Sequence, residues 1–228
     1  MAAESRHMFR IVLSVLLLAA FSSPLLSADS RYFLRIGAGA GIPQLKNLND
    51  ELALQGRKNV PAGYSLGISL GRSLAENQWS LEAHFCAALF DEFDYTSVHD
   101  SFPARMRHFS YMAVVRRNFM PEGTIFKPSL GAGIGYGLTT LVSGGGKLGA
   151  VEALVTGRID SSIRSTIDLS LECTYCAGLQ SKEFAQPFLE NVDTDAVLDS
   201  AGNPLKDVYR SLDIRLGFTF WLKPKVME

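Results

Sequence analysis

The chain has 228 residues, a length that suits one domain, and its formal net charge is -1. This balance argues against a nucleic-acid binder and against a polybasic membrane-surface protein. Hydrophobic residues make up 47% of the chain, and most of its 20 glycines lie inside runs that alternate apolar and polar residues. Such glycines indicate strongly curved strands rather than a disordered linker.

The N-terminus has the pattern of a secretory signal peptide. Arg6 and Arg10 precede an apolar run over residues 11–21, and a small-residue site ends at Ala28. The run is shorter than the ~20 residues that a membrane-spanning helix needs. We therefore predict a signal peptide over 1–28 that is cleaved after Ala28, and a single barrel domain over 29–228.

The first half of the mature chain contains four segments in which apolar and polar residues alternate with period two. They are Arg31–Gly41, Gly63–Leu74, Trp79–Leu89 and Arg105–Phe119. This periodicity predicts strands with one apolar and one polar face. Residues 42–62 break the alternation and are predicted to form a long loop, in which Leu45, Leu48 and Leu52 have the spacing of a short helix. A second loop is predicted over Asp91–Pro103.

The second half repeats this organisation. Its alternating segments are Ile125–Val142, a run from Val151 to about Arg158, Ile167–Tyr175 and Val208–Leu222. Met120–Gly123 and Asp160–Ser162 are predicted turns, and Leu179–Asp207 is a predicted long loop. Glycines 131, 133, 135 and 137 share the polar face of one strand, where they would let a narrow lumen fill without clashes.

The arrangement predicts an all-β protein, an eight-stranded antiparallel up-and-down transmembrane β-barrel. Short turns alternate with longer loops, and both termini fall on the side of the short turns. In the last strand, large apolar residues occupy six successive positions of one face, near the length that crosses a bilayer as a tilted strand. A soluble lipocalin-like barrel would need the opposite polarity, with large apolar residues inside.

The end of the last strand resembles the recognition signal of outer-membrane barrels. Arg215, Gly217, Phe220 and Leu222 follow its polar-x-Gly-x-x-hydrophobic-x-hydrophobic pattern. Aromatic residues also gather near the predicted strand ends, as in interface girdles. Those at the turn end are Trp79, Phe119, Phe126, Phe220 and Trp221, and those at the loop end are Tyr64, Tyr111, Tyr136 and Tyr175.

The whole mature chain thus resembles the OmpA- and OmpX-type eight-stranded outer-membrane barrels. The resemblance implies a monomer in the cell outer membrane, with structural, surface-interaction or narrow porin-like roles and no catalysis. It implies contacts with outer-membrane lipid and lipopolysaccharide, with the barrel assembly machinery through the C-terminal strand, and with an extracellular ligand through the loops. No cofactor and no nucleic acid are expected.

The predicted inward face carries charges of both signs. They are Arg35, Arg116, Lys127, Arg158, Arg215, Glu82, Glu152, Asp168, Glu172 and Asp213, with His84 and His108. Eight strands leave an interior just wide enough for side chains, so balanced charges favour an ion-pair network that plugs the lumen. A gated narrow pore is the alternative interpretation.

A hydrolase is the alternative function. His108 and Ser110 share a strand face, and lipid A deacylases are barrels that resemble this chain and use a His-x-Ser pair with a downstream Glu. However, Glu122 lies in a predicted turn at the opposite end from His108. Asp193, Asp195 and Asp199 hint at Ca²⁺, but their spacing favours a solvated loop. Cys86, Cys173 and Cys176 are predicted to be packing residues.

Overall fold

The computed structural model describes residues 31–74, 78–96, 101–120, 125–141, 147–184, 199, 201–203 and 205–222. Eight long strands form the barrel: β1 (Tyr32–Pro43), β2 (Gly63–Leu74), β3 (Trp79–Phe90), β6 (Met106–Asn118), β7 (Phe126–Leu141), β8 (Lys147–Arg164), β9 (Ile167–Gly178) and β12 (Arg210–Leu222). The predicted signal peptide lies outside the described residues and stays a prediction. No helix in the described part of the chain is long and apolar enough to span a bilayer.

The sheet closes on itself in the order β1-β12-β9-β8-β7-β6-β3-β2, with antiparallel pairing throughout. The closing pair runs from Tyr32 opposite Leu222 to Pro43 opposite Ser211. Because the register has no slip there, the apolar faces of the first and last strands become continuous. The prediction of an eight-stranded antiparallel up-and-down barrel is confirmed.

The long connections contain short elements of their own at one end of the barrel. They are helix α1 (Lys46–Leu54) and the hairpins β4 (Phe93–Thr96) with β5 (Ser101–Ala104) and β10 (Lys182–Glu183) with β11 (Lys206–Asp207). The helix predicted from the leucine spacing is confirmed. We call this the loop end, and the opposite one the turn end.

Helix α1 takes its N-terminal cap from a distant part of the chain. Leu45, at the N-cap, has no side chain that can accept a hydrogen bond. Instead, the Leu48 backbone N–H donates to Asp207 Oδ2 at 2.8 Å, and the Val208 backbone N–H donates to Oδ1 at 2.7 Å. Burial raises the pKa of the Asp207 carboxyl, against the lowering effect of these amides. The first long loop is thereby fixed to the last one.

One predicted turn is wrong. Asp160–Ser162 was expected to reverse the chain, but β8 continues to Arg164 and turns at residues 165–166. Asp160 pairs across the sheet with Ser170, and its carboxylate accepts from Arg158 Nε at 2.7 Å. Three consecutive polar residues resemble a turn in sequence, yet here they extend the strand because their inward side chains find polar partners in the lumen.

The barrel is closed at the loop end by apolar side chains, which we call the loop-end cluster. Its members come from α1 and its flanks, from the hairpin β4-β5, from the last loop and from inward positions at the strand ends. They are Leu45, Leu48, Leu52, Val60, Ala88, Phe90, Phe93, Tyr95, Ala104, Met106, Leu141, Leu148, Phe184, Leu205 and Tyr209. All are buried, so the long connections fold onto the mouth of the barrel rather than extending into solvent.

Candidate functional site in the barrel lumen

Between the loop-end cluster and the turn end, the barrel interior is polar. The buried polar residues include the predicted inward set: Arg35, Glu82, His84, His108, Arg116, Glu152, Arg158, Asp168, Glu172, Asp213 and Arg215. Lys127, the remaining member, is partly exposed near the turn end. The predicted assignment of charges to the inward face is therefore correct. Asp160 belongs to the same set and was missed because it was assigned to a turn.

Two glutamates lie at the centre of this interior, each shared by several arginines. Glu82 pairs with Arg35, accepts from Arg116 Nε at 2.8 Å and lies 3.6 Å from Arg158 Nη1. Glu172 Oε1 accepts from Arg35 Nη1 at 3.1 Å and Arg116 Nη2 at 3.0 Å. Since Arg35 and Arg116 each contact both carboxylates, strands from opposite sides of the barrel are linked across the lumen.

Glycines make room for these large side chains. The guanidinium of Arg215 lies over Gly67, and the carboxylate of Glu152 lies over Gly137, so a methyl group at either glycine would overlap the charged group. The glycine face predicted from the sequence therefore has a specific use. It accommodates ionic side chains that would not otherwise fit within eight strands.

Replacing Gly67 by Ala is expected to lower the free energy of unfolding by about 1–3 kcal/mol, because the added methyl group must displace the Arg215 guanidinium. Urea unfolding of the barrel in lipid vesicles, followed by tryptophan fluorescence, measures the change. Gly157→Ala is the matched control, since no atom lies within 4 Å of the position its Cβ would take. Equal stability of the two variants would contradict the packing described here.

The space left in the lumen is small. Two voids of about 10 Å³ each lie beside Arg215, one towards Glu172 and His84 and the other towards Cys86 and His108. Each is near the minimum volume that holds one water molecule. Several polar atoms next to these voids, including Arg215 Nε, Asp213 Oδ1 and Ser170 Oγ, have no hydrogen-bond partner among the residues that the structure describes. These groups are suited to binding single buried waters.

A larger cavity of about 220 Å³ opens at the turn end. Its lining includes Arg31, Lys127, Arg164, Asp168 and Trp221. Asp168 closes it towards the lumen, because its carboxylate accepts from Trp221 Nε1 and from Ser162 Oγ, each at 2.7 Å. Trp221, predicted to lie in the outer aromatic girdle, instead faces inward and packs on Phe33 with ring centroids 5.1 Å apart.

The predicted hydrolase pair is buried in the lumen, with both residues about 2% exposed. His108 Nδ1 lies 3.0 Å from Thr139 Oγ1, and His108 Nε2 lies 3.4 Å from Glu152 Oε2. The imidazole also stacks on the Tyr209 ring, with centroids 3.6 Å apart. Both ring nitrogens thus face groups other than Ser110. Within the described residues, no hydrogen bond links Ser110 to His108, and both side chains face the lumen rather than the outer surface of the barrel. Glu122 lies outside the described residues.

Of the three aspartates that hint at Ca²⁺, Asp199 lies in the described part of the chain. Asp199 Oδ1 accepts from the backbone N–H groups of Ala201 and Asn203, so it stabilises its own turn, while Asp193 and Asp195 lie outside the described residues. Within the described ranges, no group of three or more His, Cys, Asp or Glu side chains could hold a metal ion. Cys86 and Cys176 are buried and Cys173 points outward, as free thiols.

The outer face of the barrel is an apolar belt. Large exposed side chains alternate with inward residues on every long strand; those near its middle include Ile36, Ile68, Ile134, Val155, Leu171 and Leu216. On β6 the belt is bounded by outward-facing Arg107 and Arg117, ten residues apart. At ~3.3 Å per residue and a tilt of about 40°, this separation corresponds to a height of about 25 Å, which matches the apolar band of membrane barrels.

This architecture is an eight-stranded antiparallel β-barrel with an apolar exterior and a packed polar interior, a fold that is also found in small outer-membrane barrels. Among solved structures, Neisserial surface protein A has the same fold, with a TM-score of 0.55 and 13% identity over 85% of this chain and 97% of that one. Weaker similarities include Ail of Yersinia pestis, with a TM-score of 0.41 and 12% identity over 84% of this chain and 99% of that one.

The N-terminal barrel domain of Pseudomonas aeruginosa OprF is similar at a TM-score of 0.40 and 13% identity, over 84% of this chain and 98% of that one. No protein-family model matches the chain. No curated protein sequence matches it either. The similarity thus lies in the fold, and the role of this chain has to be argued from its own residues.

Proposed function

We propose that the chain is a monomeric, integral outer-membrane barrel that does not conduct or catalyse and that acts through structure and through its loop-end surface. The observation that carries this proposal is the filled lumen. A central ion-pair network, voids of only about 10 Å³ beside Arg215 and the loop-end cluster all support a sealed lumen in the described part of the barrel.

Membrane insertion is supported by the apolar belt. Its height of about 25 Å suits a bilayer, and exposed Tyr64, Tyr111, Tyr136 and Tyr175 lie towards one edge, with Trp79, Phe119 and Phe126 at the other. We orient the loop end to the outside, since outer-membrane barrels have short periplasmic turns and longer extracellular loops. The terminal strand β12 would then present its Phe220 and Leu222 to the assembly machinery.

A surface role is supported by the ordered loops. Because α1, the two hairpins and the strand ends share one buried cluster, packing holds the described part of the loop end in place. Exposed ion pairs lie on this surface, such as Arg105 with Glu92 at 2.9 Å and Lys206 with Glu183 at 3.0 Å. This surface is where an extracellular ligand would bind.

Planar-bilayer recording tests the proposal most directly. We expect the wild-type protein to insert without producing stepwise conductance, since an eight-stranded barrel is just narrow enough for side chains to fill its lumen. The double variant Glu82→Ala/Arg116→Ala serves as the control. It removes one carboxylate and its paired guanidinium from the centre of the network without changing the net charge, and it should produce small, measurable steps. Regular steps from the wild type would contradict the sealed lumen and favour the narrow pore.

A further inference from the structure

Two cationic side chains lie on neighbouring parts of the sheet at the loop-end edge of the apolar belt. Arg107 on β6 is paired in register with Thr140 on β7, which is paired in turn with Lys147 on β8. All three occupy outward positions, and both cations are exposed. Because neighbouring strands are about 4.8 Å apart, the two backbones are separated by about 10 Å, a gap that two long side chains can close around a single anion.

Several other basic residues near the loop end have partners of their own. Arg57, Arg105 and Lys206 are each paired with an exposed carboxylate. At the opposite edge of the belt, Arg117 lies over the rings of Trp79 and Phe119. By contrast, neither Arg107 nor Lys147 has a hydrogen-bond, ion-pair or aromatic partner among the residues that the structure describes. Within that part of the chain, no carboxylate forms an ion pair with either side chain.

The outward rows next to these cations, towards the middle of the belt, are mostly apolar. The next outward row is Phe109, Leu138 and Gly149, and the row below it contains Tyr111, Tyr136 and Val151. The Tyr136 hydroxyl lies over Gly149, in the space that a larger side chain would fill. Gly149 is two positions from Lys147, so the phenol extends towards the cations. A polar headgroup contact and an apolar wall therefore adjoin on one face.

We propose that Arg107 and Lys147, with Thr140 between them, bind a phosphate group of lipid A in the outer leaflet, while Phe109, Leu138 and Val151 contact its acyl chains. The proposal rests on the outer-membrane location and orientation proposed above, which place this edge of the belt at headgroup level. The Arg guanidinium can donate two parallel hydrogen bonds to phosphate oxygens, and the Lys ammonium adds a compact charge.

Native mass spectrometry of the full chain in detergent micelles, titrated with bisphosphorylated lipid A, tests the site. Arg107→Gln/Lys147→Gln should weaken lipid A binding about 10- to 30-fold, since each cation near an anionic lipid surface contributes a several-fold effect. Lipid A without its phosphates should bind the wild type about 10- to 30-fold more weakly than bisphosphorylated lipid A does. It should bind the wild type and Arg107→Gln/Lys147→Gln equally. Arg105→Gln/Lys206→Gln removes the same charge from already paired residues and should bind like the wild type.

Unchanged binding by Arg107→Gln/Lys147→Gln would overturn the site, as would an equal loss in the control pair, which would indicate an effect of overall charge. Insertion into phosphatidylcholine vesicles, read from the heat-modifiable gel shift, is measured separately. A variant that inserts normally but binds lipid A like the wild type refutes the site alone. A wild type that fails to insert refutes the membrane location, and the lipid site with it.

Discussion

Replacing Glu82 by Gln should lower the free energy of unfolding of the barrel by about 3–5 kcal/mol, the cost of breaking a buried ion pair from one side. The Glu82 side chain is fully buried and shared by Arg35, Arg116 and Arg158. Gln keeps the shape but removes the charge, so three guanidinium groups lose a common counter-ion in an interior that offers little water. Urea unfolding in vesicles, with the heat-modifiable gel shift as a check on folding, measures the loss.

Glu92→Gln provides the control for this measurement. Glu92 pairs with Arg105 at the loop end, where both side chains are about half exposed, so the change should cost less than about 1 kcal/mol. A second comparison uses Glu82→Gln/Arg116→Gln, in which one of the guanidinium groups that lost Glu82 as a counter-ion is also removed. This double variant should recover part of the stability, since the two residues interact directly. Similar stabilities for the Glu82 and Glu92 variants would refute a central role for the network.

Replacing Leu216 by Arg should impair insertion into lipid and cost about 2–4 kcal/mol of folding free energy if the barrel spans a bilayer. Leu216 lies at the middle of β12, opposite Ala38 on β1 and Leu171 on β9, and its side chain points outward with 57% of its surface exposed. A cation there would face hydrocarbon near the bilayer midplane. Refolding into phosphatidylcholine vesicles, scored by the heat-modifiable gel shift, measures the effect.

Leu54→Arg is the matched control, because Leu54 is an even more exposed leucine, but it lies on α1 beyond the belt. In water the change should be close to neutral, so the two variants should differ by most of the 2–4 kcal/mol. Arg215, the residue next to Leu216, provides a comparison because its side chain faces the lumen. Arg215→Leu leaves the lipid contact intact and perturbs the lumen instead. A neutral Leu216→Arg would indicate that the exterior does not face lipid.

The sequence by itself determined which face most strand residues occupy, with Trp221 as an exception. In a barrel of this kind the residues on the lipid-facing side are apolar and those that face the packed lumen are polar. Because successive side chains of a strand point to opposite faces, this difference appears in the sequence as a period of two. This is why Leu216 and Arg215 could be assigned to opposite faces before the structure was known. It is also why the strand count and the inward positions of Glu82, Glu172 and Arg116 could be predicted from local pattern.

The tertiary structure decided what depends on distant contacts. That Arg35 meets both Glu82 and Glu172 follows from barrel closure, which sequence periodicity does not specify. Asp160 extends a strand because Arg158 and the neighbouring strand satisfy it, although its sequence resembles a turn. The loops close the lumen because apolar residues as far apart as Leu48 and Tyr209 meet in one cluster, and burial there depends on the folded positions of all the loops at once.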